Sequence, residues 1–358
     1  MRWAWVLALW AAPALALESD LGNLTVTEMA SGLEEPWAVD FLPDGTPMIT
    51  ERGGQLWLIR DGRQEVTGVA EVHAKGQGGL LDVLVPEDFA TSRTLFFTYA
   101  KPQENGAGTA VAKARLAEDG HSLSGWQDIF EMVPGSRGGQ HFGSRLVEKN
   151  GTLFVTVGER GEREAAQDLG RENGSILRIA KDGSTTGNPF VDNPQARPAI
   201  WSYGHRNPQG AALDADGNLW VVEHGAQGGD EINLIKRGAN YGWPVISYGR
   251  HYSGAKIGEG TAKEGMQQPA FYWDPSIAPS GMMIYSGKLI PEWEGDMFVG
   301  SLKFGFIARL EGAPLQEVER LKSEETGRVR DVAEAPDGSI WFLSVTEGAA
   351  YRITPAAR

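Results

Sequence analysis

The sequence predicts an all-β protein, a six-bladed β-propeller of four-stranded antiparallel blades. Glycine is abundant, at 47 of 358 residues, and it separates short runs rich in Val, Ile, Leu, Trp and Phe. No stretch shows a convincing helical period, whereas Asp-Gly and Asn-Gly turns bound many of the apolar runs. These runs and turns recur as a larger unit, and such repetition is typical of propeller blades.

The repeat unit consists of an apolar strand, an Asp-Gly turn, a second apolar strand, a polar loop and a third apolar strand. Its clearest copies are WAVDFLPDGTPMITERGGQLWLI from Trp37, GAALDADGNLWVVEHGAQGGDEINLI from Gly210 and VRDVAEAPDGSIWFLSVTEGAAYRI from Val329. Weaker copies bring the total to six units, with starts near residues 36, 78, 142, 207, 279 and 329. One blade cannot bury both of its faces, so six blades should stack in a ring.

The N-terminal strand near Leu24 to Glu28 is expected to close the ring by joining the sheet of the last blade. A β-sandwich or two unrelated β-domains are the alternatives. The repeats persist to the end of the chain, and no Pro- or Ser-rich linker divides it. The sequence therefore favours a single propeller domain over residues 17–358.

Residues 1–16 have the pattern of a secretory signal peptide. Arg2 precedes an apolar run from Trp3 to Leu15, and Ala14-Leu15-Ala16 supplies a small-x-small cleavage site. A membrane anchor is the alternative, but the run is shorter than the roughly 20 apolar residues of a spanning helix. The mature protein is therefore predicted to be periplasmic or secreted.

Composition excludes several classes of function. The net charge of −14 argues against nucleic acid or an anionic membrane as a partner. The chain has no cysteine, which rules out disulfides, cysteine-ligated zinc and thiol catalysis.

Polar residues at the starts of several units are expected to meet on the propeller axis, because the innermost strands converge there. Cations dominate this set, namely Arg206, Lys303, Arg328 and Arg330. A cationic centre in an acidic protein attracts polyanions, and arginine suits planar carboxylates through paired hydrogen bonds.

His141 is the histidine whose context best fits a general base. A neutral imidazole can accept a proton at working pH, and Glu159 could orient its other nitrogen. The alternative is a structural histidine that bonds a loop carbonyl. His205 and His224 are second choices for the base.

A Gly-rich acidic segment, Glu223 to Ile235 followed by Gly238 to Pro244, could hold a metal ion. Carboxylate and backbone oxygens in a tight loop suit Ca²⁺, although the spacing is not that of an EF-hand. An ordinary acidic turn is the alternative.

Six strings in chain order resemble the soluble pyrroloquinoline quinone (PQQ) dehydrogenases, in particular the aldose sugar dehydrogenases of the glucose/sorbosone dehydrogenase family. They are GGQHFGSRL, IWSYGHRNPQG, EHGAQGGDEINLI, GANYGWP, SLKFG and RVRDV. The resemblance extends from about Leu33 to Thr354. It implies PQQ and Ca²⁺ as cofactors, oxidation of an aldose at the C1 hydroxyl to the lactone, and transfer of the electrons to an external acceptor.

The resemblance also implies roles for individual residues. His141 matches the general base that takes the substrate hydroxyl proton during hydride transfer to the quinone C5, with Glu159 beside it. Arg206 and Asn207 match residues at the quinone oxygens, Lys303, Arg328 and Arg330 match those at the cofactor carboxylates, and Gln77 matches a residue at the reacting end of the cofactor. The Gly225 and Ala226 carbonyls match the ligands of a Ca²⁺ that touches PQQ. Glu231 and Tyr241 match part of a second, structural Ca²⁺ site.

Three departures from the glucose-specific enzyme predict a broader aldose site. Gln140 replaces an acidic residue just before the base, Glu159 replaces an aspartate, and Ala226 replaces a proline. Two other functions stay open, a calcium-dependent propeller lactonase and a non-enzymatic binding propeller. The lactonase would need several acidic and Asn side chains around a central metal, whereas cations dominate here.

Overall fold

The computed structural model describes residues 15–356, which form 25 strands, one short α-helix (α1, Phe89–Ser92) and two 3₁₀ turns (Arg163–Gln167 and Pro291–Trp293). In chain order, the strands are β1 (Leu15–Ser19), β2 (Gly22–Ala30), β3 (Pro36–Phe41), β4 (Pro47–Glu51), β5 (Leu56–Ile59), β6 (Arg63–Glu65), β7 (Leu80–Leu84), β8 (Thr94–Gln103), β9 (Gly106–Leu116), β10 (Leu123–Glu131), β11 (Leu146–Lys149), β12 (Thr152–Val157), β13 (Ser175–Ala180), β14 (Ile200–Tyr203), β15 (Pro208–Leu213), β16 (Leu219–Glu223), β17 (Asp230–Leu234), β18 (Phe271–Trp273), β19 (Pro279–Ile284), β20 (Met297–Ser301), β21 (Ile307–Glu311), β22 (Gln316–Leu321), β23 (Val329–Glu334), β24 (Ile340–Ser344) and β25 (Ala349–Pro355). Within residues 15–356, no helix has the length and apolar character needed to cross a bilayer.

The strands form six antiparallel sheets, which confirms the predicted six-bladed propeller. Five blades have four strands each, in the orders β3-β4-β5-β6, β7-β8-β9-β10, β11-β12-β13-β14, β15-β16-β17-β18 and β19-β20-β21-β22. The inner strands begin at residues 36, 80, 146, 208, 279 and 329, within four residues of the predicted unit starts. Each inner strand contacts the next one, and β23 returns to β3, so the ring is closed.

The ring closes where both ends of the chain share the sixth blade. Strand β2 pairs with β25, with Val26 opposite Ile353, so the predicted closing strand is confirmed. Strand β1 adds a fifth strand, because Leu15 and Ala16 pair with Val26 and Thr25. The rest of the predicted signal peptide, residues 1–14, lies outside the described residues, and cleavage after Ala16 stays a prediction.

The Asp-Gly turns form because the aspartate side chain substitutes for a backbone partner. The Asp44 carboxylate accepts the Thr46 N–H at 2.9 Å, while Gly45 adopts φ +84°, a value that favours glycine. The same contact joins Asp337 to the Ser339 N–H at 2.9 Å, and in the fourth blade Asp214, two residues before the Asp216-Gly217 pair, accepts the Asn218 N–H at 2.8 Å. A repeated local turn therefore sets the hairpin at the base of three blades.

The apolar core lies between the blades. Six buried clusters in the described part of the chain each combine residues of two neighbouring blades. Val155 of the third blade, for example, packs with Val111 of the second. Burial of these faces is the main stabilising contribution, at about 25 cal/mol per Å² of apolar surface.

A buried ion cluster ties the inner strands together on the axis. The Arg145 guanidinium donates to Asp82 Oδ1 at 2.9 Å and to Asp331 Oδ1 at 2.9 Å, which joins the second, third and sixth blades. A Cβ on Gly281 of the fifth blade would lie 2.0 Å from Asp331 Oδ1, so only glycine fits there. By holding these inner strands together, the cluster also positions the residues next to it in sequence that line the central cavity.

Candidate functional site

A central cavity of about 200 Å³, open to solvent, lies at one end of the inner strands. Gln77, Asn207, Arg328 and Arg330, four of the residues singled out in the sequence, contribute to its wall. Lys303 follows the wall residue Leu302 and is itself exposed. The expectation that polar residues from several units converge on the axis therefore holds for these residues.

His141 is held in contact with Glu159. Its Nδ1 bonds Glu159 Oε1, and the Glu159 carboxylate is buried with its second oxygen unpaired in the described structure. Burial lowers the pKa of His141, Glu159 opposes this effect, and the nearby Arg206 charge lowers the pKa further. These effects favour the neutral imidazole near pH 7, and Nε2 is the nitrogen not engaged by Glu159.

The backbone around His141 is fixed by neighbouring blades. The Gln77 side-chain carbonyl accepts the His141 N–H at 2.7 Å, and the Gln77 N–H donates to the Gly139 carbonyl at 2.6 Å. A Cβ on Gly158 would lie 2.1 Å from the His141 carbonyl oxygen, so the chain approaches there as closely as only glycine permits. Gln77 thus contacts the candidate base directly through its own amide.

Arg206 and Asn207 connect the Gly-rich acidic segment to the segment that carries His141. The buried Arg206 donates its backbone N–H to Glu223 at 2.7 Å, and its guanidinium faces the Trp243 ring at 5.3 Å. The Asn207 side-chain oxygen accepts the Gly143 N–H at 3.2 Å. Asn207 therefore connects the fourth blade to the segment that carries His141.

The cavity wall carries an excess of positive charge, since Glu35 pairs with Arg52 while Arg328 and Arg330 have no carboxylate partner among the described residues. Arg330 donates to Gln209 Oε1 at 2.6 Å and faces the Trp37 ring at 4.8 Å, and burial with the neighbouring Arg145 and Arg328 charges lowers its pKa to about 9. Arg328 donates to the Leu302 carbonyl at 3.0 Å.

None of the four cations singled out in the sequence has a carboxylate within 4.0 Å among residues 15–356. Lys303 instead reaches the Ser276 carbonyl at 3.4 Å. This unbalanced charge fits a bound polyanion, because an anionic ligand would relieve the mutual repulsion and the burial cost of the arginines. A flat tricarboxylate such as PQQ has the complementary chemistry.

The Gly-rich acidic segment is anchored by its own carboxylates. Asp230 accepts N–H groups from Gly225, Ile277 and Ala278 at 2.8 to 3.1 Å, and Glu223 accepts from His205 and from the Arg206 N–H. These two acids are therefore structural. A Cβ on Gly225 would lie 2.2 Å from the Gly228 oxygen and 2.3 Å from the Gly229 oxygen, so backbone oxygens crowd this turn, as suits a calcium site.

Glu231 lies next to Glu223 in a small second cavity that Tyr241 also lines. Burial and the Glu223 charge raise the pKa of Glu231 to about 8, and the buried Asn233 side-chain oxygen has no partner in the described structure. A cation here would relieve both costs. The Tyr241 hydroxyl is already engaged with the Leu234 carbonyl at 2.5 Å, so only the backbone of Tyr241 could reach a cation.

The other histidines have different surroundings. His205 is fully buried between Glu223 and Ser202, at 2.8 and 3.0 Å, which makes it structural. His224 lines the central cavity, and burial with the Arg206 and Arg330 charges lowers its pKa well below the usual value.

Sequence reasoning missed the axial cluster of Arg145, Asp82 and Asp331 and the cavity residue Trp37. Trp37 lies between two guanidinium groups, with Arg145 and Arg330 each 4.8 Å from its ring. A signal did exist, because Asp82 and Asp331 both occupy the third position of an inner strand and both precede a valine. A charge inside such a strand points to the axis.

This site and fold define a propeller with a cationic axial cavity and a glutamate-paired histidine at its side, and comparison with known proteins identifies its relatives. The family model for glucose/sorbosone dehydrogenases matches residues 33–352. The chain is 41% identical to the aldose sugar dehydrogenase YliI of Escherichia coli, over 97% of this chain and 95% of that protein. The chain therefore belongs to the glucose/sorbosone dehydrogenase family.

Two solved structures support the same relationship. The apo form of the soluble aldose sugar dehydrogenase from Escherichia coli matches with a TM-score of 0.89 and 39% identity, covering 93% of this chain and all of that one. The PQQ-bound aldose sugar dehydrogenase from Streptomyces coelicolor matches with a TM-score of 0.76 and 25% identity, covering 96% of this chain and all of that one.

Proposed function

We propose that the protein is a PQQ-dependent aldose dehydrogenase. It oxidises the C1 hydroxyl of aldoses to the lactone and passes the electrons to an external acceptor. The relatives named above support the sugar substrate, and the PQQ-bound relative supports the cofactor. The departures at Gln140, Glu159 and Ala226 favour a range of aldoses rather than glucose alone.

One observation carries the proposal. A neutral His141, bonded to a buried glutamate, lies beside a cavity in which Arg328 and Arg330 lack carboxylate partners. The base supplies proton transfer and the uncompensated cations supply an anion site. A binding propeller would need the cations but would have no use for the paired base.

When bound, PQQ supplies the two-electron chemistry by accepting hydride at its C5 carbon. Lys303, Arg328 and Arg330 would hold its carboxylates, and Arg206 and Asn207 would hydrogen-bond the quinone oxygens. Gln77 would hold the His141 backbone at the reacting end of the cavity. His141 takes the substrate hydroxyl proton, and Glu159 stabilises the imidazolium that results.

Calcium would have two separate roles. The carbonyls of Gly225 and Ala226 would hold an ion against the cofactor, where it would polarise the quinone together with Arg206. The Glu231 carboxylate and the Tyr241 backbone would hold a second ion that stabilises the loop. We further propose that residues 1–16 direct export and that the mature enzyme is periplasmic or secreted.

The axial carboxylates argue against the lactonase alternative. A central catalytic metal would need open carboxylates, but Asp82 and Asp331 are both bonded to the Arg145 guanidinium. Without a bound polyanion, the cations of the cavity also oppose a metal ion there.

Reconstitution tests the proposed function. Apo-protein is chelated, then mixed with PQQ, Ca²⁺, an aldose and an artificial electron acceptor. We expect dye reduction only when both PQQ and Ca²⁺ are present. Ester hydrolysis without PQQ would support the lactonase, and full activity in thoroughly chelated protein would refute the calcium-bridged cofactor.

A further inference from the structure

Arg160 follows Glu159 directly, at the end of the segment that leaves β12, and both side chains reach the segment that carries His141. Glu159 bonds the imidazole ring. The Arg160 guanidinium instead donates to the backbone carbonyls of Gln140 and, at 2.7 Å, Gly138. Two consecutive residues therefore hold the candidate base, one at its ring and one at its backbone.

The Arg160 side chain is buried against this segment, and its Nε has no partner among the described residues. It is 1% exposed, and its guanidinium carbon lies 3.2 Å from the centre of the Phe142 ring. The contacted residues, 138, 140 and 142, alternate along the chain around His141. No carboxylate lies within 4.0 Å of its guanidinium among residues 15–356, so its charge is not spent on an ion pair.

The backbone at this place is strained. His141 has φ +56° and Arg160 has φ +64°, both in the left-handed region that disfavours residues other than glycine. Such conformations persist only where the surroundings determine them, and they concentrate at functional sites. Arg160, whose guanidinium bonds two backbone carbonyls of this segment, is one of the contacts that hold the strained conformation.

The Arg160 charge also acts on the base. The charged and titratable groups that influence His141 are Glu159, Arg160, Arg206 and His224. Burial lowers the pKa of Arg160 to about 10, so it stays positive near pH 7. That charge opposes protonation of His141 and counteracts Glu159.

We propose that Arg160 is a positioning residue that holds the His141 segment through two backbone carbonyls and, by its charge, keeps the imidazole available as a base. The inference rests on the proposed function of His141. A guanidinium fork suits the double contact, whereas a lysine ammonium keeps the charge without the fork. The two contributions can therefore be separated by substitution.

The experiment compares Arg160→Gln and Arg160→Lys with wild type. Arg137→Gln is the matched control, because Arg137 is exposed on the same segment. His141 is titrated by NMR in the apo-protein, where only six histidines contribute and His141→Gln assigns the signal. The pH profile of kcat is then measured after reconstitution with PQQ and Ca²⁺.

We expect Arg160→Gln to raise the pKa of His141, to move the acid limb of the kcat profile to higher pH and to lower kcat by up to about 10²-fold. Arg160→Lys should keep a His141 pKa nearer to wild type and still lose kcat, because one ammonium cannot reproduce the fork. Arg137→Gln should change neither quantity.

Wild-type titration and wild-type kcat in a folded Arg160→Gln protein would overturn the inference. If that variant does not fold, an unchanged kcat in Arg160→Lys would overturn the positioning role. Failure of the proposed function would give a different result. The wild type would show the same activity with and without PQQ, or His141→Gln would keep full activity. The titration of His141 in the apo-protein would still report on Arg160 in either case.

Discussion

His141 has the environment expected of a base that must stay neutral until it receives a proton. Burial and Arg206 disfavour the imidazolium, and Glu159 favours it. The balance leaves the unprotonated form dominant near pH 7, while the glutamate lowers the cost of the charge that forms during the reaction. A single pair of side chains thus serves both states of the base.

Replacement of His141 tests this role. His141→Gln should lower kcat by roughly 10²–10⁴, the usual contribution of a positioned base. PQQ binding should persist, because the cations that hold the cofactor are untouched. Steady-state kinetics and a PQQ titration check the two expectations, and near-normal turnover would remove His141 from the mechanism.

Glu231 gives a second prediction at the residue scale. Whether its carboxylate raises or lowers the free energy of unfolding depends on calcium. The raised pKa, about 8 against 4.5, means that the folded apo-protein binds this proton more tightly than the unfolded chain. The free energy of unfolding should therefore fall as pH rises from about 4.5 to 8. Bound calcium, or the Glu231→Gln substitution, should flatten this dependence.

Thermal unfolding of Glu231→Gln, with and without calcium, checks this effect on stability. At pH 8 without calcium, the variant should melt at or above the wild-type temperature, because it lacks the buried charge. With excess calcium it should melt below wild type, because the wild type gains the bound ion. PQQ binding should stay close to wild type when calcium is in excess. A lower melting temperature in both conditions would contradict a cation site at Glu231.

At the scale of elements, the segment 138–143 is held between two blades. The Gly76–Gln77 turn lies on one side, where a Cβ on Gly76 would lie 2.2 Å from the Gly139 oxygen. The end of β12 lies on the other side, with Gly158 against the His141 carbonyl. The position of the base is therefore a property of the packing between elements as much as of His141 itself.

Gly158→Ala should displace this segment. Its Cβ would meet backbone rather than a flexible side chain, so the His141 carbonyl must move. We expect kcat to fall by at least about tenfold, since displacements near 1 Å can cost about 10²-fold. Gly260→Ala is the control, because no heavy atom lies within 4 Å of its Cβ. Equal kcat in the two variants would show that the segment tolerates the shift.

At the scale of the whole molecule, an acidic protein concentrates positive charge at its axis. The net charge is −14, yet the central cavity contains Arg328 and Arg330 without carboxylate partners. Such a field should draw in a polyanion and should weaken with salt.

Removal of single cations tests this field. Lys303→Ala and Arg328→Ala should each weaken PQQ affinity by about 1.5–3 kcal/mol, the worth of a charge-assisted contact, and should reduce its salt dependence. The melting temperature of the apo-protein should change little. Lys322→Ala, after the outer strand β22, is the control. Wild-type PQQ titrations in both variants would place the cofactor elsewhere.

The parts of this molecule that sequence can predict are those encoded locally. The Asp44-Gly45 turn and its repeats specify hairpins within a few residues, so blade number and strand order follow from the pattern. Arg330 and Gln77 could be assigned to the axis because each adjoins an inner strand. Arg145 bonds Asp331 across 186 residues, and Arg160 acts through a backbone with positive φ. Neither the Arg145–Asp331 pairing nor the contacts of Arg160 can be predicted from the residues adjacent to them in sequence.

The shared sixth blade has a consequence in time. Strand β2 finds its partner in β25, which ends at Pro355, so the ring cannot close until nearly the whole chain has been synthesised. Until then the first blade lacks its neighbour, and the apolar face that should meet the sixth blade stays uncovered. On the predicted export route, such a delay would keep the polypeptide unfolded, so that it could pass through a translocation channel. The compact enzyme would then form only on the far side of the membrane, where its last strand arrives.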